Sequence, residues 1–341
     1  NDVPVSEKGR VAFIHPDLGL GGAERLIVDA AVGLKRRGYE VTIYTGYHNP
    51  SHAFPETVDG TLKVVPVCQW LPRTLFGRCI ALCSYFLVVL PDDLKSLSVI
   101  RVYRAPLDFV EELTTGLSDK IVVNSLFTKS VFQETFTRLR SNILDVLYPS
   151  INTKLFDEAM KSKSAQKEVS ELKLKKDTFL SVNRFERKKN LALAIRTLRK
   201  LGTCVGSVGS GGGYDSRLED SVKYLEELKQ ICKEEGVVDQ VKFVLSPKDD
   251  VKVQLISKCV ALLYTPSNKH FGIVPLCTWG KPVLAVDSGG PRETVVHEVT
   301  GFLCPSNEIH FAAAMATLIT EPEIKESMGN AARLGSRIIF I

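Results

Sequence analysis

The chain has no C-x-x-C pair among its eight cysteines and no usable Asn-x-Ser/Thr acceptor, because Asn49-Pro50-Ser51 is excluded by its proline. A zinc site and a disulfide framework are therefore not expected. Most of the cysteines (Cys68, Cys79, Cys83, Cys204, Cys232, Cys259, Cys277, Cys304) sit in apolar runs, where a thiol behaves as a small hydrophobe. A signal-peptide pattern is missing too, so a reducing, cytosol-facing location is the expectation. Long hydrophobic runs are also missing. The longest uncharged apolar stretch, Cys79 to Leu90, has twelve residues, whereas a membrane-crossing helix needs roughly 20. It reads as a core helix or strand, with a dipping membrane contact as the other reading. Nor is there a strong excess of one charge: 44 Lys+Arg against 39 Asp+Glu leave +5, spread along the chain. That excludes the footprint of a dedicated nucleic-acid binder.

What is present is 341 residues with 44% hydrophobic and 24% charged content, enough for two cores rather than one. Val11 to Ile14 is a short apolar run ending in His15-Pro16-Asp17. A loop, Leu18-Gly19-Leu20-Gly21-Gly22, leads into a helical pattern from Ala23 to Arg37 and then a strand from Val41 to Thr45. Ala23, Leu26, Ile27, Ala30, Ala31 and Leu34 form the stripe that such a βαβ unit would bury. Lys120 to Asn124 predicts another strand, with Ser125 capping a helix around Thr128 to Phe136.

The lysine-rich stretch 154–176 reads as a linker between an N-terminal domain, 1–153, and a C-terminal domain, 177–341. Beyond it, strands are expected at Thr178 to Val182, Gln240 to Leu245, Cys259 to Tyr264 and Pro282 to Val286. Helices such as Ser221 to Glu234 and His310 to Ile319 alternate with them. Gly206 to Gly213 reads as a glycine-rich turn at a strand end, with a low-complexity linker as the alternative. The expected class is α/β: two doubly wound, Rossmann-like domains facing a cleft, with ligands beyond the carboxyl ends of the strands.

Three segments carry chemistry. Gly19 to Gly22 stands between a strand and a helix, where backbone N–H groups can meet an anion. It lacks the third glycine and the acidic residue of a dinucleotide fingerprint. In Ser181 to Asn190, four cations fall within six residues at a strand end; Arg184 offers a planar fork to phosphate oxygens and Lys189 a point charge. The alternative for such a run is a solvated basic turn. The third segment runs from Tyr264 to Leu276 and on through Gly280-Lys281-Pro282 and Ser288-Gly289-Gly290-Pro291-Arg292-Glu293.

Together these segments resemble the donor site of retaining GT-B glycosyltransferases. The wording His15-Pro16-Asp17, Gly21 to Arg25, Asn183 to Asn190, Gly212-Gly213-Tyr214-Asp215, Tyr264-Thr265-Pro266 and His270 to Leu276 is similar to the dolichol-pathway alpha-1,3/1,6-mannosyltransferases of asparagine-linked glycosylation. The resemblance implies transfer of mannose from GDP-mannose, as co-substrate, to a dolichol-diphosphate-linked oligosaccharide at the cytosolic face of the endoplasmic reticulum membrane, with retention of configuration. It implies no metal and no further cofactor. Partners would be the membrane surface and other mannosyltransferases of the pathway, with no nucleic acid. Arg184 and Lys189 would hold the donor diphosphate, Gly21 and Gly22 would lie over the phosphates, and backbone amides of Phe271, Gly272, Ile273 and Val274 would add donors.

The family pattern also carries two glutamates eight positions apart, and here those positions hold Lys269 and Cys277. Neither an ammonium nor a thiol accepts hydrogen bonds as a carboxylate does. Loss of one catalytic electrostatic contact typically costs ~10² to 10³ in rate. A catalytically impaired paralogue or aberrant gene product of the same fold, acting as a donor-binding or scaffold protein, is thus the second reading. Between Leu90 and Arg101 the pattern calls for a longer strand and helix set, so the N-terminal domain is expected to be incomplete. Asp17, His15 and His270 are acid/base candidates, Asp17 first among them. A nucleotide-sugar epimerase using Asp17, Glu24 or Glu293 is a further alternative on the same architecture.

Overall fold

The computed structural model describes residues 9–19, 22–50, 53–67, 74–75, 78–79, 108–149, 153–201, 207–214, 218–278 and 280–338. Contacts divide the chain into two units, one made of 1–121 with 136–143 and the other of 122–135 with 144–341.

In the first unit, β1 (Arg10–Asp17), α1 (Gly22–Arg36), β2 (Glu40–Tyr47) and β3 (Lys63–Pro66) form the expected crossover and one more strand. The sheet is parallel in the order β1-β2-β3, with Phe13 opposite Ile43 and Ile43 opposite Val64. α1 seals it through Val28 and Ala31, which pack with Leu18, Val41, Ile43 and Leu62. The buried stripe is thus centred on Val28, and Ala23, expected within it, is exposed. A short antiparallel pair, β4 (Thr74–Leu75) and β5 (Arg78–Cys79), follows. The rest of the apolar run up to Leu90, and the interval from Leu90 to Arg101, lie outside the described residues.

The second unit begins within β6 (Ile121–Val123), at Val122, and continues with α2 (Leu126–Thr135) and β7 (Leu144–Val146), the two strands pairing with each other. Ser125 caps α2 as expected, its Oγ accepting from the Thr128 N–H at 2.9 Å. The stretch expected as a linker is instead helical over much of its length: α3 (Thr153–Ala159) and α4 (Lys163–Glu171). Its lysines from Lys161 onward are exposed, but Ala165 and Val169, four apart, are buried, and Ser162 caps α4 by accepting from the Ala165 N–H.

The main sheet contains β8 (Thr178–Ser181), β9 (Ser207–Gly212), β10 (Val241–Leu245), β11 (Leu262–Tyr264), β12 (Val283–Val286) and β13 (Gly301–Cys304). All are parallel, in the order β10-β9-β8-β11-β12-β13. The helices between them are α5 (Leu191–Lys200), α6 (Glu219–Glu234), α7 (Asp249–Lys258) and α8 (Pro291–Thr294), and α9 (Glu308–Thr320) and α10 (Pro322–Ile338) follow β13. Alternate residues of the central strands enter two cores. Phe179, Leu263 and Leu284 join Leu198, Leu228, Phe311 and Leu318 on one face, while Leu180, Leu262 and Ala285 join Val169, Leu255 and Ile256 on the other. Each such side chain stabilises by about 1.5–3 kcal/mol on burial. Burial on both faces explains why β11 and β12 read as unbroken apolar runs and why all four residues of β8, Thr178 and Ser181 included, are buried.

The Gly-Ser segment expected as a turn is β9 itself, hydrogen-bonded to β8 on one side and β10 on the other. Two neighbouring ladders hold it extended, although glycine and serine have little strand preference of their own.

Candidate functional site

The order of the main sheet reverses between β8 and β11, the two strands whose chain neighbours lie on opposite sides. Loops leaving the carboxyl ends of strands at such a point diverge and leave a crevice, where ligands of open α/β sheets bind. The loop after β8 is the basic segment; the loop after β11 is the third segment singled out from the sequence.

The basic segment is anchored by Phe185, fully buried, with ring centroids 6.1 Å from Tyr214 and 6.2 Å from Phe243. Its N–H donates to the Gly213 carbonyl at 3.2 Å. A 3-10 turn over Arg187–Lys189 follows, closed by Asn190 at φ 48°, after which α5 begins. The four cations separate here. Arg187 turns away to bind Glu227 on α6 and lies 5.8 Å from the Tyr224 ring. Arg184, Lys188 and Lys189 remain together around Glu186, which lies 3.3 Å from Arg184 Nη1 and 3.1 Å from Lys188 Nζ. Those cations hold the Glu186 carboxyl below its ordinary pKa despite the opposing effect of burial.

The two loops are tied together by Thr265, completely buried, whose hydroxyl donates to the Lys189 carbonyl at 2.7 Å. Lys269 joins the cluster from the second loop. Burial, and then the Lys269 charge, push the Lys189 ammonium down to about 8, with Arg184 and Lys188 adding to the effect and Glu186 opposing it. Lys269 is itself lowered by burial and by Lys188 and Arg184. The lysine at position 269, expected from the family pattern to be a glutamate, is thus coupled electrostatically to the cations of the basic turn.

The second loop has little freedom. The Gly290 N–H donates to the Lys269 carbonyl at 2.7 Å, and the Asn268 N–H to the Ser288 hydroxyl at 2.9 Å. A Cβ on Gly290 would stand 2.1 Å from the Phe271 oxygen. Gly272 has φ +74° and lies so close to Tyr264 that a Cβ would be 2.8 Å from its hydroxyl, so this turn requires glycine. Phe271 is buried, Ile273 and Val274 are partly so, and a 3-10 turn over Val274–Thr278, which includes Cys277, follows.

Side chains of α2 and of the segment after β7 pack against this loop in ways that local sequence does not reveal. Ser125 Oγ donates to the His270 carbonyl, the Thr128 hydroxyl is 3.2 Å from His270 Nδ1, and the Tyr148 ring is 5.5 Å from that of Phe271. Burial and then Lys269 lower the His270 pKa, favouring the neutral ring. Glu293, considered above as an acid/base group, is a helix cap. Its carboxylate accepts the Leu126 and Phe127 N–H groups of α2, both at 2.8 Å, and the Tyr148 hydroxyl at 3.1 Å. Glu293→Ala is expected to cost about 2 kcal/mol in denaturant unfolding, with Glu293→Gln in between. Equal stability of all three forms would show that the cap is not used.

The remaining candidates belong to the first unit. Asp17 closes β1 and Gly22 opens α1, while Gly21 lies outside the described residues. Arg25, from the same motif, is engaged structurally. It donates to Asp29 Oδ1 at 2.9 Å and to Glu56 Oε1 at 2.8 Å, and lies 4.9 Å from the Phe54 ring centroid. The buried thiols Cys232 and Cys304 are pushed up by desolvation to about 11 and Cys259 to about 12, in line with cysteines acting as hydrophobes.

A six-stranded parallel sheet with cations and glycines in the loops at its switch point is an open α/β arrangement of the nucleotide-binding kind, and the comparisons show which family has it here. The family described as glycosyl transferases group 1 matches residues 162–335. A sucrose-phosphate synthase from Thermosynechococcus elongatus superposes with TM-score 0.76 at 18% identity, covering 98% of this chain and 95% of that one. A glycosyltransferase from Rickettsia africae does so with TM-score 0.74 at 17% identity, covering 98% and 94%. The protein is a group 1 glycosyltransferase of GT-B fold.

Among curated proteins, the mouse Alpha-1,3/1,6-mannosyltransferase ALG2 is 40% identical over 382 residues, covering 95% of this chain and 90% of the relative. The human protein of the same name is also 40% identical, with 96% and 91% covered. The one from Dictyostelium discoideum is 37% identical, with 94% and 91% covered. The chain belongs to this alpha-1,3/1,6-mannosyltransferase family. An alignment over 382 residues exceeds the 341 of this chain, so the mouse relative carries positions without a counterpart here.

Proposed function

We propose that this protein transfers mannose from GDP-mannose to a dolichol-diphosphate-linked oligosaccharide during assembly of the asparagine-linked glycan precursor, at the cytosolic face of the endoplasmic reticulum membrane. The observation that carries the proposal is the set of cations at the sheet's switch point, within a chain 40% identical to named mannosyltransferases over 95% of its length. In the proposal Arg184, which is exposed, and Lys189, which is partly buried, meet the charge that grows on the diphosphate as the sugar bond breaks, and preorganised cations stabilise that charge. Main-chain N–H groups along Phe271 to Val274 add donors on the adjoining loop. These groups neutralise the diphosphate without a metal in this reading. No helix among the described residues is long and apolar enough to cross a membrane. In the proposal the protein meets its lipid-linked acceptor at the membrane surface, alongside other mannosyltransferases of the pathway.

The test is incubation of the purified protein with GDP-mannose labelled in the sugar and a lipid-linked acceptor carrying one or two mannoses. Label entering the lipid fraction with α configuration is expected. Label entering from another nucleotide sugar, and not from GDP-mannose, would overturn the reading.

A further inference from the structure

The basic turn after β8 is tied to a second strand end besides that of β11. The Phe185 N–H donates to the Gly213 carbonyl, and the Phe185 ring meets the Tyr214 ring edge-on at 6.1 Å. Gly213 and Tyr214 leave the carboxyl end of β9. Arg184 runs directly against this glycine: a Cβ on Gly213 would stand 3.2 Å from Arg184 Cγ and 3.7 Å from its Cδ, so the stem of the arginine uses the space that glycine leaves open. Its guanidinium is held at the other end by Glu186, 3.3 Å from Nη1.

Tyr214 is bracketed in turn by the residue that follows β10. The Ser246 hydroxyl accepts from the Tyr214 N–H and donates to the Tyr214 carbonyl, both at 2.9 Å. Ser246 does this at φ 47°, in the left-handed region, where a serine stays only if its surroundings hold it there. The residue is exposed, so water competes for both bonds and they add little to global stability. Their consequence is geometric. Resting on the donor-site reading above, we propose that Ser246 is a positioning residue for the donor diphosphate: it fixes Tyr214 and with it Gly213, and the open face of that glycine sets where the Arg184 guanidinium stands. The ends of β8, β9 and β10 thereby act as one unit. A guanidinium binds phosphate oxygens through a planar fork, so a small displacement of its stem weakens the contact without changing its charge.

Calorimetric titration of the full chain with GDP, guanosine and inorganic diphosphate tests this, on the wild type, Ser246→Gly, Gly213→Ala, Arg184→Gln and the double variant carrying Ser246→Gly and Arg184→Gln. Glycine keeps the left-handed backbone at 246 and removes only the hydroxyl. Ser246→Gly and Gly213→Ala are each expected to weaken GDP and inorganic diphosphate by about fivefold, with guanosine within about twofold of wild type. Arg184→Gln weakens both diphosphates by about tenfold or more, and Ser246→Gly added to it changes nothing further. A loss that falls equally on guanosine, or one that adds in full to that of Arg184→Gln, overturns the proposal, because a general loosening of the loops does both. So does a Ser246→Gly affinity equal to wild type while Arg184→Gln weakens diphosphate, an outcome that leaves the donor-site reading intact. If Arg184→Gln binds GDP and diphosphate as the wild type does, the donor-site reading of the basic turn fails, and the proposal with it.

Discussion

Lys189→Ala is expected to lower kcat/KM for mannosyl transfer by about 10²-fold, the size of loss seen when one preorganised electrostatic contact to a developing anion is removed. The position justifies a value this large. Lys189 is partly buried at the switch point, its carbonyl is held by Thr265, and its ammonium stands among Arg184, Lys188 and Lys269. Lowering that ammonium from 10.5 to about 8 corresponds to about 3 kcal/mol of unfavourable interaction in the empty site. A bound diphosphate reverses the balance, because it favours the charged form.

The sign of the pH dependence follows. Lys189 is charged below about 8 in the unliganded protein, so affinity for GDP should fall as pH rises through that value, above the range near 6 in which the terminal phosphate of GDP itself ionises. Lys189→Ala should remove this alkaline decline. For stability the sign is opposite: the folded pKa lies below the unfolded one, so the cost is fully present below about 8 and is relieved as pH rises towards 10.5. Lys189→Ala should therefore keep or raise the neutral-pH melting temperature while activity falls. Transfer within threefold of wild type would show that the basic turn does not hold the donor.

Gly290→Ala should be as damaging by a different route. The added Cβ would stand 2.1 Å from the Phe271 oxygen and 2.4 Å from its carbonyl carbon, and both neighbours are main chain that cannot rotate away. The loop from Asn268 to Phe271 has to separate from the loop after β12, breaking the Gly290–Lys269 bond that fixes the cationic cluster. Overpacking of this kind costs about 1–3 kcal/mol or more. Nucleotide binding should be lost together with a fall in melting temperature, unlike the Lys189→Ala result. A variant with unchanged melting temperature and unchanged GDP affinity would contradict the close approach.

Much of the fold can be read directly from residue patterns. Phe179-Leu180, Leu262-Leu263 and Leu284-Ala285 mark β8, β11 and β12 because both faces of a central parallel strand are buried. The cap at Ser125 is equally plain. β9 is hidden because its glycines and serines carry no side-chain period, and its strand form comes from ladders on both sides. α4 is hidden because its buried face consists only of Ala165 and Val169, too short a stripe to stand out among polar neighbours.

At the site, sequence alone determined the chemistry available: cations at a strand end, glycines in the next loops and a lysine at 269. It could not separate Arg187 from Arg184, Lys188 and Lys189, since all four fall within six residues. Nor could it distinguish an acid/base role for Glu293 from its use as the cap of α2. Only the tertiary structure decided these points. α6 brings Glu227 to Arg187, and the reversal of strand order sets the loop after β11 beside the loop after β8, where the Thr265 hydroxyl binds the Lys189 carbonyl and the Lys269 charge lowers the Lys189 pKa. Local periodicity specifies elements because it acts over a few residues, whereas charge pairing depends on which strands become neighbours, and that is settled by packing of the whole sheet.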